Sequence, residues 1–166
     1  MILEIVKYPA KSLREKSSPV NNIDDIKELA SNMYETMLKK DGVGLAAPQV
    51  GQNIRLIVIN KEYSEDWALV NPEISFIDDE QDVLQEGCLS VPGVYGRVKR
   101  YKRVFLKALT IDNKVIEKSV EGFFARILQH EIDHLNGILF IDKVLPIDKK
   151  KVNEGLKELK EIKVDV

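Results

Sequence analysis

The chain has 166 residues, 44% of them hydrophobic and 31% charged, with a formal net charge of −2 and a pI near 5.8. That length suits one domain, taken as a single unit over 1–166, and the slightly acidic balance argues against a nucleic-acid binder that neutralises phosphates, so no DNA partner is expected. No apolar run approaches the ~18 residues needed to cross a membrane, "MILEIVKYP" lacks the pattern of a signal peptide, and the single cysteine, Cys88, forbids an internal disulfide, so a cytoplasmic protein with no membrane partner is expected.

The first long helix is expected over about 23–40, because Ile26, Ala30, Met33 and Met37 fall on one stripe. Asn22 is its expected N-cap, with Asp25 as an acidic capping-box partner. "DGVGLAAPQVGQN" carries glycines and a proline and reads as a loop with an apolar middle. Strands are expected at 54–60, 68–76, 82–91, 103–112 and 114–122, each rich in β-branched or alternating residues. They are short and joined mostly by turns. That favours antiparallel pairing and an α+β fold, with short sheets packed around a central buried helix. This second helix is expected over 123–136, ending at Asn136-Gly137. A third is expected at about 148–162, where Val152, Leu156 and Leu159 give a thin apolar stripe. From Asp148 to Val166 six lysines face five acidic residues, so this helix reads as a solvated element docked by one edge.

The only two histidines, His130 and His134, stand four apart in "QHEIDHLNG". On a helix that spacing puts both on one face, where they can share an ion. The same face continues upstream through Ile127 and Phe123, and the neighbouring stripe holds Phe124, Leu128, Glu131 and Leu135. A helix this apolar is buried, and two buried imidazoles and a carboxylate need partners, which a metal supplies. Two histidines leave a tetrahedral site two ligands short. A thiolate from Cys88, in "EGCLS", is the leading third ligand, ahead of Glu154, Glu158 and Glu161 on the last helix. A Cys/His/His set with an open fourth position is catalytic in character.

Three segments, "GVGLAAPQ" (42–49), "EGCLS" (86–90) and "QHEIDHLNG" (129–137), in this order, resemble the three signature motifs of the peptide deformylase family. The HExxH pattern alone marks many metallohydrolases; the combination is far more specific, and the resemblance extends over nearly the whole chain. It implies removal of the formyl group from the N-terminal formylmethionine of nascent peptides, releasing formate. It implies one divalent metal on Cys88, His130 and His134, with iron(II) (Fe2+) as the native ion and Zn2+, Ni2+ or Co2+ accommodated. Thiolate and imidazole donors suit both iron and zinc.

Glu131 follows a ligand but points one residue around the helix, the place for a general base that reaches water without coordinating the metal. The resemblance supplies two donors for the developing oxyanion, the Gln49 side-chain amide and the Leu89 backbone N–H. Phe123 and Ile127 are expected to wall an apolar pocket for the methionine side chain. The resemblance implies that Val43 and Gly44 meet the substrate backbone in a strand-like manner. Asp133 and Arg100 are candidate partners of the histidines, and Glu86 is expected to brace the cysteine loop. At the family level, the last helix also suggests transient ribosome association. Two other readings remain. One is a different metal amidohydrolase or peptidase, disfavoured by Gln49 and Cys88. The other is a structural metal site, disfavoured by Glu131.

Overall fold

The computed structural model describes residues 1–164; residues 165–166, part of the expected unit, lie outside the described residues. Seven strands are present: β1 (Gly44–Ala46), β2 (Leu56–Ile59), β3 (Ala68–Phe76), β4 (Gln81–Cys88), β5 (Val91–Tyr101), β6 (Arg103–Thr110) and β7 (Val115–Glu121). The three α-helices are α1 (Lys27–Lys39), α2 (Gly122–Leu135) and α3 (Lys149–Val164). Five strands form one sheet in the order β1-β2-β3-β6-β7, and β4 and β5 form a separate hairpin. All of these strand pairs are antiparallel, which makes this an α+β fold.

Three local expectations need correction. The helix expected from residue 23 begins as a 3-10 turn over Ile23–Ile26, and Ile26, at φ −115° and ψ 3°, separates it from α1. Asn22 does cap this start, accepting from the Asp24 N–H at 3.0 Å, but Asp25 forms no capping box. The glycine-rich segment expected as a loop contains β1 and a 3-10 turn, Ala47–Val50. Its apolar middle is an edge strand, with Leu45 and Ala46 fully buried. Finally, β5 has no counterpart among the expected strands. Pro92, Gly93 and Gly96 disguise it: Pro92 has no ladder partner, Gly93 takes φ 77°, and a β-carbon on Gly96 would lie 2.6 Å from Val144 Cγ1. Its inward residues nonetheless alternate, Val94, Gly96, Val98 and Arg100.

Ile26, Ala30, Met33 and Met37 of the expected stripe are all buried, and pack against Leu45, Leu56 and Val58. On α2, Leu128, Ile132 and Leu135 join a second cluster with Ile57, Ile59, Leu69 and Leu106. Each such side chain contributes about 1.5–3 kcal/mol by leaving water. Helix α2 touches β1, β2, β3, β6 and β7 of the large sheet and β5 of the hairpin, so it bridges the two. It ends at Asn136, followed by Gly137 at φ 75°. A β-carbon on Gly137 would lie 2.3 Å from the Arg14 carbonyl oxygen, so this turn needs glycine twice over.

Helix α3 docks by one edge. Val152, Leu156 and Leu159 pack with Val94, Val98 and Phe140. At its start, Asp148 accepts from the Arg97 backbone N–H at 2.8 Å and from the Arg97 guanidinium at 3.0 and 2.9 Å.

Candidate metal centre

His130 and His134 lie one turn apart on α2, with ring centroids 5.2 Å apart. Cys88 closes β4 and enters the cluster from the hairpin. One ligand atom from each of the three falls within 4.8 Å of the others. The Cys88 Sγ to His134 Nε2 distance is 3.3 Å, close to the edge of about 3.5 Å that a tetrahedral zinc–sulfur–nitrogen set requires. Glu154, Glu158 and Glu161 are not part of this cluster.

The protonation chemistry fits a cation between these groups. His130 Nδ1 sits 2.9 Å from Glu86 Oε1, so an N–H there leaves Nε2 free to ligate. Burial works against charge on His130, but the facing Cys88, Glu131 and Glu86 raise its pKa well above the usual value. In the same setting a metal ion would answer the same demand for positive charge. Burial, with the nearby His130 and Arg100, pushes His134 well below its usual pKa, which keeps it in the neutral, ligating form.

Glu131 is 4% exposed, and its Oε1 has no hydrogen-bond partner. Burial raises its pKa to about 7, with His130 opposing the rise. A carboxyl tuned there is suited to proton transfer near neutral pH. The edge strand β1 runs against it. A β-carbon on Gly44 would lie 2.8 Å from Glu131 Oε2 and 2.9 Å from Ile127 Cγ2, so glycine permits this approach.

Gln49 is buried at 2% exposure. Its Oε1 accepts from the Ala46 N–H at 3.0 Å, which turns its amide nitrogen toward Cys88 Sγ at 3.4 Å and Ser90 Oγ at 3.2 Å. A cleft of about 520 Å³ opens on these groups, lined by Val43, Gly44, Gln49, Glu86, Cys88, Leu89, Phe123, Ile127, His130 and Glu131. Ile127 is buried and shared with the core, whereas Phe123 is 46% exposed and stands at the rim beside Tyr63, 5.2 Å between ring centroids.

Behind the ligands lies a network of charged residues that sequence reading placed only in part. Glu86, expected to brace the cysteine loop, hydrogen-bonds His130. Arg100 grips Glu86 with two bonds, 3.0 and 2.9 Å, and Asp133 with one of 2.6 Å. Asp133 also meets Lys143 at 3.0 Å. Arg100 and Asp133 therefore reach His130 only through Glu86, and neither makes a hydrogen bond to a histidine ring. Burial opposes the charge on Glu86, but bonds from His130 and Arg100 hold its carboxyl far below the usual range. Sequence reading missed Arg126, 4% exposed and bonded to Glu86, and Ser90, fully buried beneath Gln49. An arginine in the apolar helix, one turn before His130, was the available signal for the first.

Comparison with known proteins gives the family. Residues 2–150 match the family model described as polypeptide deformylase. A peptide deformylase of Thermodesulfovibrio yellowstonii is 46% identical over 165 residues, 96% of this chain and 99% of that protein. One from Desulforudis audaxviator is 44% identical over 151 residues, 90% and 98%. A Plasmodium falciparum peptide deformylase, solved in complex with an inhibitor, is 42% identical with a TM-score of 0.88 over 95% of this chain and 99% of that one. The structure from Thermotoga maritima is 40% identical with a TM-score of 0.83 over 88% and 99%. The chain belongs to the peptide deformylase family.

Proposed function

We propose that Cys88, His130 and His134 hold one divalent metal and that Glu131 moves the proton in the reaction of this family, the hydrolytic removal of the N-formyl group from nascent peptides with release of formate. The observation that carries this reading is the convergence of three ligand atoms within 4.8 Å of one another, beside a buried carboxyl with an unpartnered oxygen. Held by Cys88, His130 and His134, a divalent ion would supply Lewis acidity toward water and the formyl oxygen. Glu131 Oε1 takes the proton from the attacking water and delivers it to the leaving amine. Gln49 Nε2 and the Leu89 N–H donate to the formyl oxygen as negative charge builds on it. Ile127, with Phe123 at the rim, receives the methionine side chain. Val43 and Gly44, at the edge strand β1, meet the peptide backbone as an added strand. Glu86, backed by Arg100 and Asp133, orients His130.

Iron(II) is the proposed native ion; the thiolate and imidazole donors also accept Zn2+, Ni2+ and Co2+. The proposed location is the cytoplasm. No described helix is long and apolar enough to cross a membrane; among the relatives, one from rice is named as chloroplastic. Transient association of α3 with the ribosome is proposed from the family resemblance.

The test is formate release from formyl-Met-Ala-Ser by protein purified anaerobically and loaded with iron(II). Turnover that stops when a chelator strips the metal is expected. Absence of turnover with one metal bound per chain would overturn the reading.

A further inference from the structure

We propose that Arg126 is a positioning residue that ties the cysteine-bearing hairpin to the histidine-bearing helix and so sets the spacing of the three ligands. This rests on the reading of Cys88, His130 and His134 as ligands. The ligands come from two elements that chain connectivity does not hold together: β4 supplies Cys88, and α2 supplies both histidines. A two-stranded hairpin is marginal by itself, and the β4–β5 register shifts between Glu86 and Cys88. The regular ladder is therefore interrupted at Gly87, immediately before the sulfur-bearing residue, and resumes at Cys88 opposite Val91.

Arg126 lies one turn before His130 and crosses that gap. Its Nη1 donates to Glu86 Oε2 at 2.6 Å and to the Val98 carbonyl at 3.0 Å. Its Nη2 donates to the Asp82 carbonyl at 2.9 Å and to Asp82 Oδ1 at 2.8 Å. All four terminal N–H groups are thus spent on the hairpin, on β4 at Asp82 and Glu86 and on β5 at Val98. Arg126 borders the cleft, yet it has no terminal donor left for a substrate. Arg100 binds the same carboxylate, but from within the hairpin, since it belongs to β5. Arg100 also reaches α2, through Asp133 at 2.6 Å; Arg126 is the one of the two that stands on α2 itself and bonds Glu86 from that helix. A planar fork makes this possible; an ammonium cannot serve both strands in that geometry.

The experiment compares wild type, Arg126→Met, Arg126→Lys and Asp82→Ala, each loaded with cobalt(II). Asp82 is 47% exposed at its side chain, so its truncation shortens the brace without opening the core. Three readouts are taken: the rate of metal release to a chelator, the cobalt absorption spectrum, and kcat and KM for formyl-Met-Ala-Ser at saturating metal. Arg126→Met and Arg126→Lys should release metal at least about tenfold faster, as loss of a group supporting a ligand does, and shift the thiolate-to-cobalt band. Asp82→Ala should move the same way by a smaller factor. KM should stay within about twofold while kcat falls. Where Arg126→Met does not fold, Arg126→Lys and Asp82→Ala decide. Wild-type release rates and spectra in those two would overturn the proposal, as would a rise in KM alone, which would make Arg126 a substrate contact. A wild type that binds no cobalt at these residues would instead bring down the ligand assignment itself.

Discussion

His130 Nδ1 lies 2.9 Å from Glu86 Oε1, and that carboxylate is simultaneously held by Arg100 and Arg126. A single buried group therefore fixes the tautomer of one ligand and receives two guanidinium groups. Glu86→Gln keeps the shape and loses the charge. It should weaken metal affinity by about 10–100-fold, read by chelator competition. Glu86→Ala leaves Arg100 and Arg126 buried and underpaired, and should cost about 3–5 kcal/mol of stability by denaturant unfolding. Affinity unchanged in Glu86→Gln would remove Glu86 from the centre.

Gly44→Ala should damage the site without touching a ligand. The added carbon would lie 2.8 Å from Glu131 Oε2 and 2.9 Å from Ile127 Cγ2. Overpacking of this kind costs about 1–3 kcal/mol, and β1 or Glu131 must shift to relieve it. Formate release should fall while metal content stays at the wild-type level. Full activity would show that β1 can retreat from α2.

Gln49→Leu separates two roles of one side chain. The Ala46 N–H and Ser90 Oγ lose their buried partner, at about 1–3 kcal/mol of stability. Loss of the donor at Nε2 should lower kcat by about 10²–10³-fold, the usual effect of removing one oxyanion donor. A stability loss with unchanged kcat would leave Gln49 a purely structural residue.

Acid should loosen the docking of α3. Two contacts from the Arg97 side chain and one from its backbone lower the pKa of Asp148 from 3.8 to about 2. A carboxyl depressed in the folded state stabilises above its unfolded pKa, and that contribution is lost as pH falls through the folded value. The difference in melting temperature between wild type and Asp148→Asn should therefore be constant above about pH 5 and vanish by about pH 1–2. A difference that persists below that range would mean the ion pair does not secure the helix.

How much of this was legible in the sequence depends on the range of each interaction. Helical spacing is local, so His130, Glu131, His134 and the stripe of α1 could be placed from sequence. Cys88 could be singled out because the chain has no other cysteine. Strand β5 was hidden because Pro92, Gly93 and Gly96 read as turn residues. Gly96 is there because Val144 packs against it, 2.6 Å from where a β-carbon would lie, a tertiary fact. Arg126 and Glu86 stand 40 positions apart, and Glu86 and His130 44. No local pattern reports such pairs, so neither the bond from Glu86 to His130 nor the place of Arg126 is legible in the sequence. The Asn22 cap was visible, but the 3-10 turn after it was not, because the break lies in the backbone angles of Ile26.

The most direct test is the turnover of Glu131→Ala, measured as formate release per bound metal on a preparation whose metal content is determined in parallel. Glu131 is buried, unpartnered at Oε1 and adjacent to a ligand. The variant should keep one metal per chain and lose about 10²–10⁴-fold in kcat. Turnover near that of the wild type with metal bound would contradict the assignment of the proton-transfer step to Glu131.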